Sequence, residues 1–482
     1  MLIIGGGSLS LELSKHFSDA TVLLRNQKSV DKFKKTILKD ARDINENDIR
    51  NYNIIIYTIS SALNHDYKSE DATNDINLIN HIIPLIKNNV KKFIYISSVA
   101  VYDEISGLEV QDTNFIKTTT NLYGKTKLTI EKLLINNLNP KILTIIRPST
   151  IMYYETIHIG SMCDYLLNND KIQMSSSYKS LDRNHLTPVP VYRVVEFIKY
   201  IIDQDFDNYQ IFNISGDTKY SYNELFKIYN CNVKYGCNKQ IVNRVVKSFE
   251  FPHSRNIAII LAAGSSTRFN GSKFSIKQVP KQYYRFGDKF LVEITTNKIY
   301  ETKLFDEVIL ILNSNFNLYN ELLNINEGVK VVEFSSEHRF DSIVMGLKNI
   351  SQQLNDNDNI VIFNGNDPYI YIDSILKAIS MSIDYNIVAV GKDYSNDNVI
   401  IDLNTSKTIP REQLFCTQFY LYKYSLLRDI TSELKNKYIM ELEYLMDTCN
   451  EKIGLCYIKH NKLKITIRED IEFLNTSKKL FE

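Results

Sequence analysis

The chain reads as an α/β protein made of two tandem domains, and three observations predict this. Short β-branched runs alternate with helical patterns, the rhythm fades near 234–255 and then restarts, and each half opens with an apolar run that enters a glycine-containing loop. A length of 482 residues also exceeds what one ordinary core accommodates.

In the first half the expected strands are "MLIIGG", "ATVLLRN", "NIIIYTISS", "KKFIYISSVAVY", "KILTIIRPS" and "YQIFNIS", with helical segments between them. This is the pattern of repeated βαβ units and a parallel sheet. We expect this domain to span 1–240. The polar, basic stretch with Pro252 predicts a linker over 241–254. The second domain, 255–482, then supplies "NIAIILAAG", "DEVILILN", "VKVVEF", "NIVIFNGN", "NIVAVG" and "KLKITI". The second half shows no repeat of the first, and no low-complexity tract occurs.

Composition narrows the function. A hydrophobic content of 44% with 23% charged residues is that of a globular protein. The net charge of +1 gives no electrostatic case for nucleic acid or an anionic membrane surface as partner. No apolar run approaches the ~18 residues of a membrane span. With a strand expected from Leu2 there is no room for a signal peptide, so a cytoplasmic location is the expectation. Six cysteines without zinc-ligand spacing read as reduced thiols, and no metal ligands can be named.

The first loop, Gly5-Gly6-Gly7-Ser8-Leu9-Ser10, follows a strand and opens a helix. Gly5 permits a tight turn, and Gly7, Ser8 and Leu9 offer backbone N–H groups to a pyrophosphate at the helix N-terminus. Ser10 replaces the third glycine of the dinucleotide fingerprint. Arg25 and Asn26 follow the second strand where an acid would hold ribose hydroxyls. With Lys28 nearby, Arg25 suits a 2′-phosphate and favours NADPH over NADH, although two solvated cations fit the residues equally well.

"NLYGKTKLTIEKLL" places Tyr123 and Lys127 one helical turn apart on the same face. A phenol is a poor acid–base catalyst near neutrality unless a cation stabilises the phenolate, and Lys127 can supply it. Among 31 tyrosines the spacing alone is weak, and Tyr235/Lys239 repeats it without context. The context here is a strand ending in Ser97-Ser98, whose hydroxyl can hydrogen-bond a carbonyl beside the tyrosine. Together these features resemble the extended short-chain dehydrogenase/reductase (NAD-dependent epimerase/dehydratase) family over about residues 1–235. The resemblance implies a Rossmann domain, a catalytic set of Ser98, Tyr123 and Lys127, and a substrate-facing Arg147 in "IIRPSTI".

The second loop, Leu261-Ala262-Ala263-Gly264-Ser265-Ser266-Thr267-Arg268, combines small residues with a fixed cation, as a triphosphate cradle requires. Lys281 follows in "VPKQYYRFGDKF". With "EHRFDSIVMGL" and "LKITIREDIEFL" in order, this half resembles the methylerythritol-phosphate and ribitol-phosphate cytidylyltransferases over about 256–482. The resemblance implies a Rossmann-like nucleotidyltransferase fold and a homodimer. It implies CTP contacts at Ala262, Ala263, Gly264, Ser336, Arg339 and Ser342, with Mg²⁺ accompanying CTP. Arg268 and Lys281 would stabilise the transition state, Lys464 and Thr466 would bind phosphate, and Asn364 and Asp367 would meet the acceptor.

The departures carry information. Ser335-Ser336 stand where the family has two glycines, Asn364 replaces its aspartate, Asp367 its arginine, and Cys416 precedes Thr417-Gln418. An acceptor site with changed charge should take another acceptor, so methylerythritol phosphate is not expected.

The two halves together predict a bifunctional enzyme. CTP would transfer a cytidylyl group to a sugar phosphate, and NADPH would reduce a ketose carbonyl, giving a CDP-alditol of the ribitol or glucitol type for a capsule or other surface polysaccharide. Two alternatives stay open at this stage. One is a nucleotide-sugar epimerase or dehydratase fused to a cytidylyltransferase. The other is a degenerate transferase half serving regulation or oligomerisation.

Overall fold

The computed structural model describes residues 1–61, 67–87, 90–102, 106–108, 121–153, 172–174, 185–228, 233–235, 245–264, 279–335, 338–393, 415–438 and 440–457. They form two compact units, Met1–His253 and Ser254–Glu482.

The first unit is built on a seven-stranded sheet of β1 (Leu2–Ile4), β2 (Thr21–Leu24), β3 (Thr36–Leu38), β4 (Ile54–Tyr57), β5 (Lys92–Ile96), β6 (Leu143–Pro148) and β7 (Gln210–Ile214). Every pairing is parallel, in the order β7-β6-β5-β4-β1-β2-β3. Helices α1 (Ser8–His16), α2 (Ser69–Ile86), α3 (Leu122–Asn137) and α4 (Val191–Ile202) cover it. The central strands are apolar along most of their length because both faces of such a sheet are buried. On one face Leu2, Ile55, Phe93 and Ile145 pack against Ile79, Ile82 and Ile86 of α2 and Leu134 of α3. The strand order reverses between β1 and β4, and the crevice beyond the strand ends at that point is where a ligand fits in an open α/β sheet. This is a Rossmann-type, parallel doubly wound domain.

The sequence expectation of a free linker needs correction. Val245–Val246 form a strand parallel to Ser106–Leu108. The Phe249 N–H donates to the Asn213 carbonyl at 2.8 Å, and the Phe249 and Phe251 rings lie 6.0 and 5.0 Å from that of Phe197. Polar composition hid a segment that is anchored by backbone pairing and two aromatic rings. The first compact unit therefore includes residues 245–251 and ends at His253.

The second unit has its own seven-stranded sheet of β8 (Asn256–Ala262), β9 (Glu307–Asn313), β10 (Lys330–Phe334), β11 (Asn359–Asn364), β12 (Ile387–Asp393), β13 (Phe415–Lys423) and β14 (Ile453–Tyr457), ordered β10-β9-β8-β11-β13-β12-β14. β13 alone runs against its neighbours, antiparallel to β11 and to β12. Its helices include α5 (Leu291–Glu301), α6 (Arg339–Lys348), α7 (Ile372–Met381) and α8 (Glu441–Thr448). The expected strand "KLKITI" lies outside the described residues. Among the described residues no helix is long and apolar enough to cross a membrane.

Candidate functional sites

In the first unit the glycine loop leaves β1 beside the loop that leaves β4. Gly5 has φ +130°, and a Cβ there would meet Thr58 Oγ1 at 2.4 Å. Only glycine suits both the dihedral and the space. At Gly7, the N-cap of α1, a Cβ would meet nothing within 4 Å, and no side chain caps the helix. The loop thus leaves open space at a helix N-terminus, which fits a dinucleotide pyrophosphate over Gly7, Ser8 and Leu9. Ser10 is fully buried and its Oγ lies 2.7 Å from Thr58 Oγ1. The serine therefore ties the helix to the neighbouring loop at the place where the fingerprint would have glycine. Arg25 and Asn26 are exposed beyond β2, and Asn26 Oδ1 accepts from the Lys28 N–H at 3.0 Å.

Tyr123 and Lys127 sit on α3, which Asn121 caps by accepting from the Tyr123 N–H. Lys127 is 3% exposed; its Nζ donates to the Ile96 carbonyl at 3.1 Å and lies 5.7 Å from the Tyr123 ring centre. The Tyr67 ring meets the Tyr123 ring edge-on at 5.4 Å. Ser98 begins the turn after β5, where its Oγ accepts from the Ala100 N–H at 3.1 Å. Leu128 of α3 packs on Val99, Val101 and Tyr102, which holds that turn against the helix bearing Tyr123 and Lys127.

Arg147 requires a correction. Expected to face substrate, it is fully buried in β6 and paired with Glu131 of α3, Nε at 3.0 Å and Nη2 at 2.5 Å. Its Nη1 donates to Tyr102 Oη at 2.7 Å, and Tyr102 Oη donates to Asn213 Oδ1 at 2.9 Å. Burial opposes the charge on Arg147, but Glu131 outweighs it and holds the guanidinium above its usual pKa. Residues 143–148 form a strand buried along its whole length, so a side chain from it points into the core. Glu131 and Ser97 were not anticipated. The available signal was a carboxylate one turn beyond Lys127 on the same helical face.

In the second unit β8 runs into Ala262-Ala263-Gly264. Gln282 Nε2 donates to the Ala262 and Gly264 carbonyls at 2.8 Å each, and Asn313 Nδ2 donates to the Ala263 carbonyl at 2.9 Å. Both side chains are buried. In a trans peptide the N–H opposes the preceding carbonyl, so the amides of Ala263 and Gly264 turn away from these partners. A Cβ on Gly264 would meet nothing within 4 Å, so the loop has room for an anion beside those amides. Lys281 is half-buried on the short helical turn Lys281–Tyr283, immediately before Gln282, so one turn carries both the cation and the loop's anchor. Arg268, Ser336, Lys464 and Thr466 lie outside the described residues.

The expected contacts of α6 and β11 form one network. Arg339 directs Nε and Nη2 to Glu441 at 2.6 and 2.7 Å and Nη1 to Asn364 Oδ1 at 3.2 Å. Arg339, expected to contact CTP, ties α6 to α8 and β11, its charge balancing the buried carboxylate of Glu441, while its own side chain stays partly exposed. Ser342 is buried and donates to the His338 carbonyl at 3.3 Å. Asn364 donates to the Gln418 carbonyl at 3.2 Å. Asp367 is 4% exposed and accepts from the Tyr369 N–H at 3.1 Å and Gln418 Nε2 at 2.7 Å. An arginine at 367 could not accept those bonds, so the substitution goes with a different internal wiring. Among the described residues no cluster of potential metal ligands occurs.

A family model described as IspD, 2-C-methyl-D-erythritol 4-phosphate cytidylyltransferase, matches residues 256–476. The second domain is an IspD-like cytidylyltransferase domain. Among curated relatives, the 2-C-methyl-D-erythritol 4-phosphate cytidylyltransferase of Thermosipho melanesiensis is 25% identical over 232 residues, 46% of this chain and 97% of the relative. That of Fusobacterium nucleatum is 26% identical over 230 residues, 45% of this chain and 94% of the relative. Among solved structures, the 4-diphosphocytidyl-2C-methyl-D-erythritol synthase of Anaerococcus prevotii is similar at 21% identity and TM-score 0.37, over 47% of this chain and 99% of that one. Solved structures similar to the first half of the chain include a protein bound to UDP-glucose and NAD and a UDP-glucose 4-epimerase. MoeE5 in complex with UDP-glucose and NAD has 13% identity and TM-score 0.43, covering 51% of this chain and 87% of that one. The UDP-glucose 4-epimerase of Thermotoga maritima has 16% identity and TM-score 0.41, covering 52% and 90%.

Proposed function

We propose that the chain is a bifunctional enzyme that forms a CDP-alditol, using CTP and a sugar phosphate in the second domain and NADPH in the first. The reading of the second domain rests on the family match together with the tethered Ala262–Gly264 loop. There the acceptor phosphate attacks the α-phosphorus of CTP and pyrophosphate leaves. The protein's part is positioning and charge neutralisation by the loop amides, Lys281 and Arg268, with Mg²⁺ travelling with CTP. Asn364 and Asp367 support an acceptor other than methylerythritol phosphate, since the family's acidic and basic acceptor contacts are replaced.

The juxtaposition of Tyr123, Lys127 and the Ser98 turn carries the reductase reading. NADPH, when bound along Gly5–Leu9, supplies the hydride. Ser98 then orients the ketose carbonyl, Tyr123 delivers a proton to its oxygen, and Lys127 favours the phenolate left behind. Exposed Arg25 and Lys28 beyond β2 support a 2′-phosphate. The product suits a polyol phosphate polymer of the cell surface, and the reaction needs no membrane. The test is incubation with CTP, Mg²⁺, NADPH and either ribulose 5-phosphate or fructose 6-phosphate, following pyrophosphate and the near-ultraviolet absorbance of NADPH. Pyrophosphate release with no NADPH consumption across several ketoses would remove the reductase half. NAD retained through purification and not consumed would favour an epimerase or dehydratase instead.

A further inference from the structure

We propose that the buried Glu131–Arg147 pair is a positioning device that sets the Ser98 turn against the helix carrying Tyr123 and Lys127; this rests on the reductase reading above. The pair clamps both ends of one short segment. At its start, Ser97 Oγ donates to Glu131 Oε1 at 2.5 Å. At its end, Tyr102 Oη accepts from Arg147 Nη1 at 2.7 Å, and Asn213 of β7 holds the same hydroxyl. Between these ties lies the turn that Ser98 initiates.

The helix side of the device is equally ordered. Tyr123, Lys127 and Glu131 recur at one-turn spacing, so they share a face of α3. Lys127 ties the carbonyl of Ile96, and Glu131 ties the hydroxyl of the next residue, Ser97. Side chains alternate along an extended chain, so holding Ser97 inward turns Ser98 the other way. Ser97 is 3% exposed whereas Ser98 is half-buried. Arg147 fixes the carboxylate itself, with two nitrogens on its two oxygens, a geometry that leaves little freedom to rotate. Neither Glu131 nor Arg147 has an accessible atom with which to meet substrate, both being at most 1% exposed. Their effect on the reaction passes through the distance between the Ser98 hydroxyl and the Tyr123 phenol. A misplacement near 1 Å at a reacting centre lowers turnover by up to roughly 100-fold.

Glu131→Gln alone would strand a buried guanidinium, so the test uses Glu131→Gln/Arg147→Met, which removes both charges at similar side-chain length. Ser97→Ala, which deletes only the hydroxyl tie, serves as the milder variant and carries the test should the double variant not fold. The full-length proteins are compared for cooperative melting, NADPH affinity and ketose reduction. We expect NADPH affinity within about twofold of the parent, KM little changed, and kcat lowered about tenfold or more in the double variant and about threefold or more in Ser97→Ala. Unchanged kcat in a folded variant would overturn the proposal, leaving the pair a packing element only. Should the parent reduce no ketose at all, the reductase reading falls by itself, and amide hydrogen exchange still decides the positioning. Exchange about tenfold faster in the 97–102 and 121–131 segments of the variant, with the rest of the domain unchanged, supports the device, and parental rates there overturn it.

Discussion

Lys281 is the described residue that tests the proposed transferase chemistry most directly. It is half-buried at the start of a helical turn whose anchoring contacts come from its neighbour Gln282. On the proposed reading Lys281→Ala should lower pyrophosphate release by about 100-fold or more, the scale of losing one preorganised charge stabiliser, in a variant whose melting curve shows it to be folded. Acid stability tests a different residue. The Arg42 side chain and N–H both hydrogen-bond the Asp40 carboxylate and hold its pKa down at about 2 from a usual 3.8. The folded state keeps this charge while the unfolded chain takes up the proton first. Its contribution is thus full above the unfolded value and disappears as pH falls toward the folded one. Asp40→Asn should flatten the loss of stability between those two pH values, by less than about 1 kcal/mol because the pair is solvent-accessible, as measured by urea unfolding at each pH. At this scale the sequence revealed residue types with recognisable chemistry, Tyr123 with Lys127 above all. It misassigned Arg147, because a guanidinium in a motif looks the same whether it meets a ligand or a buried carboxylate.

Helix ends show how elements are held in register. Lys92, 8% exposed at the start of β5, donates to the carbonyls of Ile201 and Ile202 at 3.0 and 2.7 Å and also to Gln204, closing the C-terminal end of α4. Burial pushes its pKa down, although Asp205 and Asp203 act in the opposite sense. Lys92→Met keeps the stem but removes the donor from the part-buried carbonyls of Ile202 and Gln204, while Ile201 keeps its bond from the Gln204 N–H. The expected cost is about 1–3 kcal/mol in denaturant unfolding of the first domain, with cytidylyl transfer unaffected. Elements buried on both faces were legible, since β1, β4, β5, β8 and β9 read as isoleucine-rich, mostly apolar runs. Those not expected include β3, β13, β14 and the Val245–Val246 strand. β13, "FCTQFYLYK", mixes polar and aromatic residues and joins the sheet in the reverse direction. The Val245–Val246 strand is short and set in a basic stretch, and its partners 106–108 are distant in sequence.

On the scale of the molecule, two compact units with separate sheets predict two separable ligand responses. In calorimetry of the full chain, CTP with Mg²⁺ should raise the unfolding temperature of one transition and NADPH that of another, each domain being stabilised by the mass-action amount of about 2.7 kcal/mol at 100 times Kd. A single transition shifted by only one of the nucleotides would contradict two nucleotide-binding units. The number of domains, the mainly parallel character of the sheets and the glycine-containing loop after the first strand of each domain were determined by the sequence alone, because hydrophobic periodicity and glycine placement are local properties of the chain. The antiparallel strand, the incorporation of 245–251 into the first domain and the burial of Arg147 against Glu131 were decided only by the tertiary structure. Each depends on residues far apart in sequence coming within a few ångströms, and no local pattern records which distant carboxylate, carbonyl or strand edge a side chain will meet.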